Sequence, residues 1–307
     1  MKALVYKSTG SWYLVKNEEG EILKARIKGK FKIEEITSTN PIAVGDIVEI
    51  NKDDGGESIV ITRIYDRKNY ITRQSPHNRH LQHIVASNLD QAILIATLKH
   101  PKTSTGFIDR FLVTAEAYHV PAIVVFNKSD LYKNKETELF EKLKKQYEEI
   151  GYPVYSMSIN EGTGIEQITD LLKEKVTLIG GHSGVGKSSF INSILPDNLL
   201  KTQEVSGWSG KGLHTTTFAE MYDLPFGGKI IDTPGMREFA MMDMEPELLS
   251  HYFPEMRDLL NHCKFNNCVH IEEPGCAIKD AVKGNKISYE RYANYLNILD
   301  SMENNKW

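Results

Sequence analysis

Eight consecutive residues, Gly181-His182-Ser183-Gly184-Val185-Gly186-Lys187-Ser188, have the types and order that cradle a nucleotide's phosphates. Glycines let backbone N–H groups curl around an anion, and the N-terminus of a following helix adds positive potential. Gly181, Ser183, Gly184, Val185 and Gly186 are expected to form that cradle, with Ser189 continuing it into the helix. Lys187 is expected on the β- and γ-phosphates and the Ser188 hydroxyl on Mg²⁺. An apolar strand reading, Val176–Ile179, precedes the loop, and a helix reading follows it, which is the context such a loop requires.

Two further runs end predicted strands. Asp232-Thr233-Pro234-Gly235 follows Lys229-Ile230-Ile231. An acid there can hold Mg²⁺ through water, and the Gly235 N–H can bond a γ-phosphate and sense its loss. Asn127-Lys128-Ser129-Asp130 follows the strand 121–126. A carboxylate at Asp130 can accept from guanine N1–H and N2–H₂ together, a pair that adenine does not offer. Asn127 would brace the loop and the Lys128 stem would lie over the base. A helix N-cap is the plain alternative for such a run, set aside because the two phosphate motifs accompany it. Ser158-Ile159, after the next strand, is the second base-contacting loop, with Ile159 where such loops usually carry alanine.

Residues 207–217 hold the glycines and threonines of a switch that closes on Mg²⁺. Thr216 is the expected ligand and Thr215 the alternative. Ras-like GTPases place a water-orienting glutamine just after the glycine of the second switch. This chain has Met236 there, and a thioether cannot orient water as an amide can. His214, beside the threonines, has suitable chemistry; otherwise a partner supplies the group. The expected catalytic set is Lys187, Thr216 and His214.

All three cysteines fall late, in Cys263-x4-Cys268-x-His270-x5-Cys276. Three thiolates and an imidazole give a closed tetrahedral zinc site, one ion per chain, with no open position for catalysis. An odd cysteine count does not make a disulfide framework.

These side chains need elements to hold them. From about residue 90, apolar strands (91–97, 121–126, 153–156, 176–179 and 229–231) alternate with amphipathic helices (107–118, 136–150 and 165–174). That alternation argues for a mostly parallel sheet with helices on both faces. The base-specificity motif precedes the phosphate loop, the reverse of the Ras-like order. Only a circular permutation reconciles that order with one sheet. The first sixty-odd residues read as short strands and turns, a small barrel or sandwich. Lys24, Arg26, Lys28, Lys30 and Lys32 recur at every second residue and would share one strand face. That face is either a solvated edge guarded against aggregation or a phosphate-contacting surface. His77, His80 and His83 sit in a basic stretch that reads better as phosphate-meeting than as metal-binding. Tyr289, Tyr292, Tyr295 and Leu296 read as a packing stripe on a terminal helix. Domain limits are expected at 1–68, 69–240 and 241–307.

The chain has 307 residues, 40% hydrophobic and 25% charged, as a globular protein of two or three domains would have. No apolar run approaches the roughly 18–20 residues that cross a bilayer, and the start lacks a signal-peptide segment, so a cytoplasmic protein is expected. The net charge of −4 excludes a uniformly basic nucleic-acid binder. Residues 1–84 nevertheless carry 14 Lys+Arg against 11 Asp+Glu, while the remainder carries 23 against 30, so a polyanion would meet the front third.

Val44-Gly45-Asp46-Ile47-Val48, the permuted motif order, His214-Thr215-Thr216-Thr217 and the cysteine–histidine spacing together resemble the circularly permuted, ribosome small-subunit-dependent GTPases, the RsgA family. The resemblance spans nearly the whole chain. It implies a multidomain α/β protein: an N-terminal all-β OB-fold barrel, a circularly permuted P-loop GTPase domain and a C-terminal helical zinc-binding domain. It also implies GTP/GDP, Mg²⁺ and Zn²⁺ as cofactors. The expected partners are the small ribosomal subunit and its rRNA, with GTP hydrolysis gating release during late maturation, and with no membrane or DNA partner. A monomer is expected. The runner-up is a P-loop kinase or metabolic ATPase with a structural zinc domain, which tight ATP binding would reveal. A passive RNA-binding protein with vestigial nucleotide binding is the third reading.

Overall fold

The computed structural model describes residues 1–27, 41–53, 58–74, 82–196, 219–233 and 244–304. Lys28, Lys30, Lys32, His77, His80, His214, Thr215, Thr216, Gly235 and Met236 lie outside the described residues, as does the His83 side chain.

Five short strands open the chain: β1 (Lys2–Ser8), β2 (Tyr13–Asn17), β3 (Ile22–Ile27), β4 (Ile47–Lys52) and β5 (Ile59–Ile64). Their pairing runs β1-β2-β3-β5-β4 and returns to β1, which closes a barrel of OB-fold type with no free edge among the described strands. Ala3, Val5, Tyr13, Val15, Ala25, Val48, Ile50 and Ile61 fill it. Strand β1 serves two cores through its two-residue period: Ala3 and Val5 point into the barrel, while Tyr6 and Leu4 join the core of the next domain. On β3, Lys24 and Arg26 are exposed on either side of buried Ala25, as the alternation predicts. Arg26 is not a free cation there, since it pairs with Asp53 at 2.8 Å.

A hairpin, β6 (Tyr70–Gln74) and β7 (Gln82–Ser87), follows the barrel. Gly45, at φ +93°, passes so close to β7 that a Cβ there would lie 2.1 Å from the Ser87 carbonyl oxygen. Beside it, fully buried Asp46 accepts from Arg67 Nε at 2.7 Å and Nη2 at 2.6 Å, from Ser87 Oγ at 2.5 Å and from the Ala43 N–H at 2.9 Å. The Val44–Asp46 run is therefore the pin between barrel and hairpin.

The larger sheet holds β8 (Gln91–Ala96), β9 (Ala122–Phe126), β10 (Val154–Ser156), β11 (Val176–Gly180), β12 (Glu220–Asp223) and β13 (Lys229–Asp232), in the order β10-β9-β8-β11-β13-β12. All pairs are parallel except the edge strand β12. Helices α1 (Thr105–Ala117) and α2 (Asn134–Glu149) cover one face, and α3 (Ile165–Leu172) and α4 (Lys187–Ile194) the other. Strand β8 is buried throughout: Ala92, Leu94 and Ala96 face α1 and α2, and Ile93 and Ile95 face α3 and α4. Lys7 of β1 pairs with Glu220 of β12, so barrel and sheet form one hydrogen-bonded ribbon of eleven strands.

The C-terminal part is helical: a 3₁₀ segment Pro246–Tyr252, then α5 (Pro254–Arg257), α6 (Ala277–Lys283) and α7 (Tyr289–Asn304). Leu249, Phe253, Met256, Ile278, Tyr295, Ile298 and Leu299 form its core together with Val113 of α1. Of the tyrosine stripe, Tyr295 is buried and Tyr292 and Leu296 pack against that core, but Tyr289 is 76% exposed. No helix among the described residues is long and apolar enough to cross a membrane.

Candidate functional site

Parallel strands end together, so β8, β9, β11 and β13 deliver their following loops to one edge of the sheet. The loop after β11 is the glycine-rich run. Gly181, Gly184 and Gly186 take φ values of +141°, +81° and +102°, and Lys187 begins α4 directly afterwards. At Gly186 a Cβ would lie 2.3 Å from Asn127 Nδ2 and 3.3 Å from Ile159 Cδ1, so glycine is needed there for the loops to meet. Ser183, Ser188 and Ser189 are exposed at this edge, and Val185 is buried beneath them.

The run Asn127–Asp130 touches that loop directly. Asn127, buried, donates its backbone N–H to the Ala96 carbonyl of β8 at 2.8 Å and its Nδ2 to the Val185 carbonyl at 2.7 Å. Lys128, held in the left-handed region at φ +66°, donates Nζ to the Gly184 carbonyl at 2.8 Å and to the His100 carbonyl. Asp130 follows in a short 3₁₀ turn, partly exposed. Its Oδ1 accepts from Ser158 Oγ at 2.6 Å and its Oδ2 from Asn160 Nδ2 at 3.3 Å. The Ser158 bond holds the Asp130 carboxyl below the usual carboxylate range. Ser158 is buried, and its N–H bonds the Thr163 carbonyl. Ile159 fits because it packs beside Gly186 and the core under α3 and α4.

Asp232 ends β13 in register with Ile179 of β11, the last residue but one of that strand. Burial raises the Asp232 carboxyl, and Lys187 opposes the shift. Burial likewise lowers the Lys187 ammonium, and Asp232 opposes that. Lys187 Nζ donates to the carbonyls of Gly181 at 2.6 Å and His182 at 2.7 Å. A phosphate beside the lysine and a divalent cation beside the aspartate would each favour the charged form. The donors present therefore fit a nucleotide triphosphate with Mg²⁺.

Sequence reading missed Asn160, the second donor to Asp130; its place two residues after Ser158 is the signal that could have found it. It also missed His100, whose carbonyl receives Lys128, because a backbone acceptor leaves no trace in residue type.

The cysteines and His270 come together apart from this edge. Their donor atoms all lie within 4.8 Å of one another. Cys263 Sγ is 3.7 Å and Cys276 Sγ 3.4 Å from His270 Nδ1. A tetrahedron with zinc bond lengths of about 2.0–2.3 Å sets ligand separations of roughly 3.3–3.8 Å, which these approach. Burial lowers the His270 imidazole, favouring the neutral donor, and pushes the Cys268 thiol up to about 12, which a bound cation would reverse. The cysteines are free, and the donor set fits zinc.

Comparison with known proteins places these features in one group. A family model described as RsgA GTPase matches residues 64–242, and one described as RsgA N-terminal domain matches residues 2–60. The small ribosomal subunit biogenesis GTPase RsgA of Flavobacterium psychrophilum is 54% identical, over 98% of this chain and 93% of that protein. The protein of the same name from Phocaeicola vulgatus is 50% identical, over 100% and 99%. Among solved structures, YjeQ from Thermotoga maritima superposes with a TM-score of 0.77 at 36% identity, covering 98% of this chain and 97% of that one. YloQ, described as a circularly permuted GTPase, gives a TM-score of 0.75 at 29% identity, over 100% and 96%.

Proposed function

The chain belongs to the RsgA GTPase family, and from that premise we propose that it acts in small-subunit maturation, hydrolysing GTP on the subunit and leaving it afterwards. The observation that carries this reading is the direct bonding of Asn127 and Lys128 to the phosphate loop, which makes one pocket of motifs far apart in sequence. In it Asp130 reads guanine with Ser158 and Asn160 behind it. The backbone from Gly181 to Gly186 wraps the phosphates, with Ser183 and Ser189 at its rim. Lys187 neutralises the β- and γ-phosphates. Ser188 and Thr216 ligate Mg²⁺, Asp232 holds it through water, and the Gly235 N–H senses the γ-phosphate. Mg²⁺ supplies charge neutralisation on the transferred phosphoryl group.

The exposed Lys24 and Arg26 of the barrel, with Lys28 and Lys30 of the same run of sequence, meet rRNA phosphates. Cys263, Cys268, His270 and Cys276 hold one structural zinc. The domains divide at 1–68, 69–240 and 241–307, and the protein works as a cytoplasmic monomer without membrane or DNA partners.

Phosphate release from GTP, followed with and without purified small subunits and with ATP as competitor, tests this. Turnover is expected to be slow alone, since Met236 leaves the attacking water unplaced, and to rise at least about tenfold with subunits. ATP should not compete. Unstimulated turnover, or inhibition by equimolar ATP, would point to the metabolic ATPase instead. His214→Ala is expected to lower the stimulated rate about a hundredfold while leaving GTP affinity intact. Full stimulated turnover in that protein would assign water placement to the ribosome.

A further inference from the structure

Helix α1 has two buried faces. Ile108, Phe111, Leu112 and Ala115 pack on the sheet. The opposite stripe meets α7, and Gly106 lets the helices close up, since a Cβ there would lie 3.3 Å from Asn294 Oδ1. Asp109, fully buried, accepts from Arg291 Nη1 at 2.6 Å, from Asn294 Nδ2 at 2.6 Å and from the Tyr147 hydroxyl at 2.8 Å. Arg291, 1% exposed, also pairs with Glu255 at 2.7 and 3.0 Å. Thr105 donates to Glu290 at 2.9 Å and Arg257 pairs with Glu116 at 3.2 Å, so the C-terminal part grips α1 at both ends. Helix α7 is tied in turn to the cysteine–histidine loop. Tyr292 Oη donates to the His270 carbonyl at 2.6 Å, and Tyr295 Oη to that of Val269 at 2.8 Å.

The first turn of α1 also reaches the nucleotide edge. Phe107 stacks on the imidazole of His182, with ring centroids 3.6 Å apart and planes 29° from parallel. His182 is the second residue of the phosphate loop, and its carbonyl is one of the two that hold Lys187 Nζ. Its ring is therefore fixed by α1 while its backbone holds the lysine that must swing onto a phosphate. The motif reading gives this histidine no role.

We infer that Phe107 and His182 are positioning residues for Lys187, and that their stack carries the seating of the C-terminal domain on α1 to the phosphate loop. The inference rests on the reading of residues 181–188 as the GTP site. Asp109 and Phe107 are two residues apart on a rigid helix, so a shift of α7 that moves one moves the other. Separating a buried ion pair leaves an unpaired charge, so a shift of α7 is resisted at Asp109–Arg291 and passes to α1.

A double-mutant cycle on the full chain tests it, reading the dissociation constant of a fluorescent GDP analogue together with kcat and KM for GTP. Phe107→Leu is expected to weaken nucleotide binding about two- to tenfold, the range of one lost aromatic pair, and to lower kcat as well, since the lysine it positions also neutralises the transferred phosphoryl group. Phe107→Tyr, which keeps the ring, should restore affinity. Asp109→Asn should weaken binding in the native background but not further in Phe107→Leu. Thr105→Val, which removes only the bond to Glu290, is the gentler second variant should Asp109→Asn fold poorly. Additive effects, or no effect of either α7-facing variant, would overturn the coupling. Unchanged affinity in Phe107→Leu, while Lys187→Ala loses nucleotide, would overturn the positioning role alone. If Lys187→Ala bound nucleotide normally, the site reading itself would fall.

Discussion

An Asp130→Asn protein is expected to bind guanosine nucleotides about 10²–10³-fold more weakly than the native chain and to gain affinity for xanthosine nucleotides. The sign follows from donors and acceptors. Guanine presents N1–H and N2–H₂ side by side, and an ionised carboxylate accepts both. The Ser158 bond at 2.6 Å keeps Asp130 ionised and fixes its plane. An asparagine keeps one acceptor, which Ser158 still orients, but sets an amide N–H₂ against the guanine N2–H₂. Xanthine carries oxygen at that position, so the same amide pairs with it. Steady-state turnover with GTP, XTP and ATP checks all three arms, with ATP poor for both proteins. Should Asp130→Asn retain native GTP affinity, residues 127–130 would be no more than the start of the short 3₁₀ turn at Ser129–Leu131.

The parts of this site that sequence made legible are those whose chemistry dictates residue type. Backbone wrapping a phosphate needs glycine, so the run 181–188 announces itself, and the strands feeding it are buried on both faces and read as continuous apolar stretches such as Ile93-Leu94-Ile95. Three thiolates within fourteen residues are equally legible. Contacts that span the chain are not. Asp109 looks like a breach in an apolar helix face and Arg291 like a solvated cation. Only the packing of α7 on α1, 182 positions apart, shows that each neutralises the other. Strand β1 falls within the run read as short strands, but its service to two cores, Ala3 and Val5 to one and Leu4 and Tyr6 to the other, leaves no trace in residue type. Edge strand β12 is absent from the sequence reading because its four residues bury only Met221 and so make no apolar run; it shows only in its antiparallel pairing with β13. The stack of Phe107 on His182 joins two residues that no local pattern relates.

Loss of the proposed zinc should reach well beyond the four ligands. A Cys276→Ser protein is expected to fall from one zinc per chain to near none by elemental analysis and to lose amide-exchange protection across α6 and α7. Structural zinc contributes about 10–16 kcal/mol in small domains, comparable with or above the whole stability of an ordinary one. Cys268 and Cys276 are themselves core residues here, beside Phe253, Ile278 and Tyr295, so opening the metal site opens the same core that seats α6 and α7. Once the ligand loop opens, Tyr292 and Tyr295 lose their carbonyl acceptors and α7 loses its seat. Arg291 then leaves Asp109, and a carboxylate that is fully buried has no cation. Breaking such a pair from one side costs about 3–5 kcal/mol, which falls on α1 and hence on the GTPase domain. Exchange should therefore quicken in α1 as well, while the barrel strands β1 to β5 stay protected. Native protection of α1 in the zinc-free protein would mean that the C-terminal helices hold Asp109 without the metal, and that the cluster organises only its own loop.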